Sequence, residues 1–238
     1  AIVCGSSSGI GLAIAETLDK AGANVVMFAR RRALLEREAE RIGALAVQGD
    51  VTNPRDLRRL VKRTVDTFGG LDILVNNGGG PPAGTAVGLD DEALSDALEL
   101  LLFSAVRLSN LCLPHLRKSG RGRIINVASS SVREPIENLV LSNAVRPGVV
   151  GWAKTLAREV GPDKITVNTL APGRIDTERL EELYAHRSRD EDLKAIPLRR
   201  FGQPQELAAV ACFLASDQAS YVTGAVIPVD GGLTHGLL

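Results

Sequence analysis

Residues 1–18 read AIVCGSSSGIGLAIAETL, and three kinds of local structure follow one another within them. Ile2 to Cys4 is a short apolar run of the kind that forms a buried strand. Gly5-Ser6-Ser7-Ser8-Gly9-Ile10-Gly11 is a glycine-rich turn, and residues 9–21 carry apolar side chains at helical spacing. Strand, tight turn and helix in that order build a phosphate site. The glycines permit close backbone approach, and the unpaired N–H groups that open the helix favour an anion. Gly5, Gly9 and Gly11 are spaced G-x-x-x-G-x-G, one residue off the common dinucleotide fingerprint G-x-G-x-x-G. Ser7, Ser8 and Ile10 lie in the same turn and are candidates to line the site. Glycines also serve plain turns and close helix packing, so the rest of the chain must decide.

Working outward, short apolar runs alternate with helical patterns. Candidate strands are 2–4, 24–28, 45–48, 73–76, 123–127, 166–170 and 225–229, and candidate helices are 9–21, 31–42, 54–68, 91–117 and 138–160. Such alternation predicts a doubly wound, mostly parallel sheet with helices on both faces and right-handed crossovers. At 238 residues, 45% of them hydrophobic, the chain can bury one sizeable core, and no repeat or low-complexity linker divides it. Residues 171–205 are polar, Arg-rich and follow a strand end, where open α/β sheets bind ligands, which predicts a mobile lid.

Lys plus Arg equals Asp plus Glu at 28 each, so neither a nucleic acid nor a membrane surface is expected as partner. Cys4, Cys112 and Cys212 are far apart in apolar segments and read as reduced core thiols, with no metal site expected. With no signal peptide and no uninterrupted membrane-length apolar run in view, the cytoplasm is the expected address. The chain opens inside a strand without a Met, so a short N-terminal piece is expected to precede it.

The strand ends carry further ligand candidates. After the second come Ala29, Arg30, Arg31 and Arg32, with Arg30 nineteen residues beyond Gly11. An NAD site wants an acid here to hold the ribose. Arg30 offers a guanidinium that suits the 2′-phosphate of NADP, so NADP is preferred over NAD, the alternative being that these arginines only open a solvated helix. After the third strand, Asp50 could accept from an adenine amino group beside Val51, while Thr52 or Asn53 could instead make this a helix cap. After the fourth, Asn77, Gly78 and Gly79 would let a cofactor lie on bare backbone, as would a plain turn.

Taken together these motifs resemble the short-chain dehydrogenase/reductase family over nearly the whole chain. The glycine turn matches that family's cofactor turn, with Cys4 where Thr is usual. Asp50-Val51 matches its adenine contact, and Asn76-Asn77-Gly78-Gly79 its N-N-A-G with Gly for Ala. Pro172 and Gly173, with Ile175 and Thr177 behind them, resemble the segment that holds the nicotinamide and pyrophosphate, and Val229-Asp230-Gly231-Gly232 resembles the C-terminal signature. The resemblance implies a single-domain Rossmann fold over 1–238 with a lid at 174–203. It also implies hydride exchange between NADP(H) and a small carbonyl or alcohol, as in 3-oxoacyl reductases.

The family's reaction residues are a Ser after the fifth strand, a Tyr-x-x-x-Lys on the next helix and an Asn on the preceding one. Here those positions hold Ser129, Ser142 with Arg146, and Leu101. Ser142 keeps a hydroxyl but is a far weaker acid than a phenol, and Arg146 keeps charge and ribose donors but cannot lose a proton. Ser129 would hydrogen-bond a substrate oxygen or serve local structure. Tyr184, His186 or water is left as proton donor, while Tyr221 reads as packing before the last strand and His235 as a tail residue that could reach a neighbouring subunit. Pro147 is expected to bend the helix and re-aim Arg146. The apolar residues Leu139, Val140, Leu141, Val145, Val149, Val150, Trp152 and Leu156 exceed one sheet-facing stripe, which predicts a homo-oligomer, by resemblance a tetramer. A nucleotide-binding protein without chemistry, a sensor or oligomer partner, is the alternative.

Overall fold

The computed structural model describes residues 1–184 and 188–236. Its strands are β1 Ile2–Cys4, β2 Val26–Ala29, β3 Leu45–Gln48, β4 Ile73–Asn76, β5 Arg123–Val127, β6 Thr166–Pro172 and β7 Val226–Val229. All pair in parallel, in the order β3-β2-β1-β4-β5-β6-β7. The helices are α1 Gly9–Lys20, α2 Arg32–Ile42, α3 Pro54–Phe68, α4 Asp91–Leu98, α5 Ser104–Ser119, α6 Val140–Val160, α7 Glu178–Leu183, α8 Asp190–Ala195 and α9 Pro204–Ala215. The expected doubly wound sheet is therefore present, and β2 and β6 run one or two residues further toward the ligand edge than the apolar pattern suggested.

Alternation along each strand feeds two cores. Ile2, Cys4, Val26, Phe28, Leu74, Ile124 and Val167 face one way, onto Leu57 and Leu60 of α3, Leu108 and Leu116 of α5, and Leu156 of α6. Val3, Met27, Val75, Ile125 and Leu170 face the other, onto Ile14 and Leu18 of α1, Leu35 of α2, and Leu207, Ala211 and Leu214 of α9. Period-2 placement on a sheet covered on both sides produces this division. The sequence reading left α9 unassigned. Its start was nevertheless written in Pro204 at the first turn and in the capping box that joins Gln203 and Glu206.

Strand order reverses between β1 and β4, and the crevice over their C-terminal ends is where such sheets take ligands. One expected helix, 91–117, is in fact two. A π-helical turn, Glu99–Phe103, joins α4 to α5, and the stretch from Asp91 to Ser119 is continuous. By length and composition alone that stretch is apolar enough to cross a membrane, although charged residues such as Arg107 interrupt it, and it packs into the core through Leu108, Cys112 and Leu116. The π turn brings the Leu100 carbonyl against Gly78, where a Cβ would stand 2.7 Å away. A π turn spends one extra residue to re-aim a helix and is enriched beside functional sites.

Candidate active site

Gly5 and Gly9 have φ of +60° and +55°, so the turn after β1 uses the left-handed backbone that glycine alone adopts without strain. A Cβ on Gly11 would lie 2.1 Å from the Gly5 carbonyl oxygen, and one on Gly5 2.6 Å from that of Asn77. Gly5 and Gly11 are thus required by close packing, and Gly5 and Gly9 by the turn. Ser6 Oγ accepts from Phe28 N at 2.9 Å, and Asn77 Nδ2 donates to the Cys4 carbonyl at 3.3 Å, tying β1 to both neighbours. At the N-terminus of α1, Ser8 is extended, makes no side-chain cap, and no acid stands in the first turn. The opening N–H groups therefore face the cleft, which suits a pyrophosphate.

That cleft has a volume of about 750 Å3. Every cofactor position anticipated from the sequence lines it: Gly5, Ser7, Ser8, Gly9, Ile10, Gly11, Arg30, Arg31, Asp50, Val51, Asn77, Gly78, Gly79, Pro172, Gly173, Ile175 and Thr177. Ser129, Ser142 and Arg146 line it too. At the β2 end, Arg30 is exposed, while Arg31 is held by two partners, Ser8 Oγ at 2.5 Å and Glu178 at 3.2 Å. Asp50 is engaged locally, its Oδ1 accepting from Thr52 N and Oγ1 at 2.9 Å each, and Asn53 caps α3. The capping reading holds through Asn53, and Asp50 lines the cleft.

Around the reaction positions three serines meet. Ser142 Oγ lies 2.9 Å from Ser131 Oγ, and Ser129 Oγ accepts from Ser131 N at 3.1 Å. Ser131 and Ser142 are buried. The sequence reading passed over Ser131, although the run Ser129-Ser130-Ser131 was a visible cue: a short 3-10 turn, Ser130–Val132, swings the third serine back under the helix. Arg146 is only 9% exposed. Its Nη1 donates to the carbonyls of Val127 (3.2 Å) and Ala128 (2.8 Å), and its Nη2 to that of Gly79 (2.6 Å). Burial pushes the guanidinium down to about 10. The side chain thus clamps the end of β5 to the loop after β4, a role the expected ribose contact did not include. Its Nε and the Nδ2 of Asn126 are buried without partners among the described residues, and both residues line a cavity of about 20 Å3 beside Leu101, the size of one water molecule.

α6 runs unbroken through Pro147. The expected lid holds two short helices and a small core of its own, Leu180, Tyr184, Ile196 and Phe201. Tyr184, one of the expected proton donors, lines the cleft but is buried, its ring 5.6 Å from that of Phe201 and its hydroxyl donating to Asp192. His186 lies outside the described residues. Tyr221, expected to pack before β7, is 101% exposed, in a turn closed by Val222 N donating to the Ala219 carbonyl. Cys4 and Cys112 are core thiols as expected, whereas Cys212 is half-buried at the margin of α9. The backbone N–H groups of His235 and Gly236 donate to Glu134 of the same chain, at 2.5 and 3.0 Å.

A parallel sheet with a glycine turn at its switch point, and serines and a buried arginine sharing the cleft, defines a nucleotide-binding α/β enzyme. The family model described as Enoyl-(Acyl carrier protein) reductase matches residues 5–234. A 3-oxoacyl-(acyl-carrier-protein) reductase of Vibrio cholerae is 39% identical over 237 residues, covering 98% of this chain and 96% of that protein. Among solved structures, YwfH, an NADPH-dependent reductase involved in bacilysin biosynthesis, superposes with a TM-score of 0.95 at 27% identity over 99% of this chain and 98% of its own. The L-sorbose reductase of Gluconobacter frateurii, complexed with NADPH and L-sorbose, does so with a TM-score of 0.90 at 36% identity over 99% and 96%. The chain belongs to the short-chain dehydrogenase/reductase family of oxidoreductases.

Proposed function

We propose that the protein is an NADPH-dependent reductase of a ketone or 3-oxoacyl-like carbonyl. The observation that carries this is the meeting of Ser129, Ser142 and Arg146 in the cleft that also receives the glycine turn. Bound NADPH supplies the hydride. The chain's own part is to hold the carbonyl and stabilise the charge that grows on its oxygen. Ser142, held from behind by Ser131, turns its hydroxyl to that oxygen, Ser129 offers a second hydroxyl, and Arg146 supplies positive charge on the same wall. An aliphatic hydroxyl is too weak an acid to be the final donor, so water entering the cleft delivers the proton. The NADPH-dependent reductases of bacilysin biosynthesis and of L-sorbose support the choice of cofactor.

The test is NADPH oxidation across a panel of ketones, diketones, ketoses and 3-oxoacyl thioesters, beside titrations of NADPH and NADH. Turnover of one class with NADPH preferred supports the reading. Tight NADPH binding with no turnover anywhere would favour a binding protein that has lost its chemistry. Ser142→Ala should spare NADPH affinity and lower kcat about tenfold, the scale of one hydrogen bond made in the transition state.

A homotetramer is part of the same proposal. Phe103 is exposed, and Leu111, Leu113 and Trp152 are only partly buried on α5 and α6. Light scattering at micromolar concentration should find no monomer. A cytoplasmic address suits three cysteines that form no disulfide.

A further inference from the structure

Arg31 sits where two parts of the molecule meet. Its Nη2 donates to Ser8 Oγ at 2.5 Å, on the glycine turn, and its Nη1 pairs with Glu178 Oε2 at 3.2 Å, on the first residue of α7. The pair spans 147 residues of sequence and joins the end of β2 to the lid. All three residues line the main cleft, as does Arg30. The guanidinium is therefore shared between the turn that would carry a cofactor's phosphates and an acid brought in by the lid.

We infer that Glu178 is a specificity-determining residue, a resident carboxylate that competes with the 2′-phosphate of NADPH for Arg31. The inference rests on the reading of the β2 end as a 2′-phosphate site. A phosphomonoester carries up to two negative charges and three acceptor oxygens, so it displaces a single carboxylate from a guanidinium. NADH brings a hydroxyl to the same place and has nothing with which to displace Glu178. Binding NADPH thus breaks the Arg31–Glu178 pair and brings like charge toward Glu178, whereas binding NADH leaves the pair intact. Glu178 accordingly lowers the affinity for the phosphorylated cofactor selectively, and it ties the seating of the lid to which cofactor is bound.

The pair is open to solvent, its side chains 52% and 64% exposed, which sets the scale. An exposed ion pair of this kind changes an equilibrium about two- to fivefold. The experiment is a fluorescence titration of the full chain with NADPH and with NADH, on wild type, Glu178→Gln, Arg31→Ala and the double variant, at low and high salt. Thermal unfolding of each variant serves as a folding control. Glu178→Gln should tighten NADPH about two- to fivefold and leave NADH unchanged, with the gain shrinking as salt rises. In the Arg31→Ala background the same substitution should tighten NADPH clearly less, through the removed like charge alone, and leave NADH unchanged. Weaker NADPH binding in Glu178→Gln would mean that Arg31 bridges phosphate and carboxylate together, and it overturns the inference. Equal changes for both cofactors, or an unchanged gain without Arg31, overturn it as well. Failure of the underlying site is visible separately: wild type would then bind NADPH and NADH alike, and Arg31→Ala would leave their ratio untouched.

Discussion

The two halves of the cleft are built on different principles. On the β1–β4 side the surface is backbone: glycines at positive φ, open N–H groups and carbonyls packed so closely that no Cβ fits. On the β5–α6 side it is side chains, three serines and one buried arginine, whose placement depends on packing from several elements. A backbone-built site is either present or absent. A side-chain site can change its residues and keep its walls, and that difference explains how the cofactor half holds its motifs while the reaction half holds Ser142, Arg146 and Leu101.

The largest effect that would break this comparison lies in the glycine turn. Gly11→Ala places a Cβ 2.1 Å from a backbone oxygen that cannot retreat without moving β1. Stability should fall by about 3 kcal/mol or more in denaturant unfolding, with loss of NADPH binding in whatever still folds. A tolerated Gly11→Ala would mean that the turn is as adaptable as the serine side.

Arg146→Ala comes next, because it tests whether the reaction half also has a structural pin. Three carbonyls, of Val127, Ala128 and Gly79, would lose their donor, and the expected cost is about 2–4 kcal/mol in chemical denaturation. NADPH should bind more weakly as well, since the loop after β4 is released. Arg146→Lys keeps the charge but cannot span three carbonyls from one nitrogen, so it should recover only part of the stability. If Arg146→Lys were fully stable, the clamp would be incidental and charge alone would matter there.

What could be read without coordinates follows the same division. The glycine turn and the Asn77-Gly78-Gly79 loop were legible because glycine spacing encodes backbone geometry directly. Arg146 was placed in the cleft correctly, but its three carbonyl partners were not foreseeable, since they come from β5 and a loop 67 residues away. Ser131 was missed because its role depends on a single 3-10 turn that periodicity does not register. α9 escaped because Pro204–Ala215 is apolar on most sides, leaving little contrast for a helical period to show, although the residues it buries fall at helical spacing. The segment from Gly173 to Gln205 reads as irregular and polar, yet Tyr184, Phe201, Leu180 and Ile196 pack together across gaps in sequence, so its small core was invisible locally.

The smallest effect concerns thiols, and it sharpens the contrast from the cofactor side. Cys4 is buried at the last residue of β1, directly before the glycine turn, and burial pushes its thiol up to about 12. Cys112 is buried on α5 and raised for the same reason, while Cys212 stays half-buried near the surface of α9. Only the thiolate reacts with an alkylating agent, and at pH 8 a group titrating near 12 is ionised to about one part in ten thousand, before any barrier to access is counted. Native protein treated with iodoacetamide at pH 8 should therefore gain label at Cys212 and, on the same timescale, none at Cys4 or Cys112, by peptide mass spectrometry. All three should react once the chain is unfolded. Because Cys4 is enclosed by β2, β4 and the Asn77 contact, its labelling rate reports opening of the cofactor turn itself. Labelling of Cys4 as fast as Cys212 would show that this half opens readily, and the rigid backbone cradle would have to be abandoned in favour of a site as adaptable as the one across the cleft.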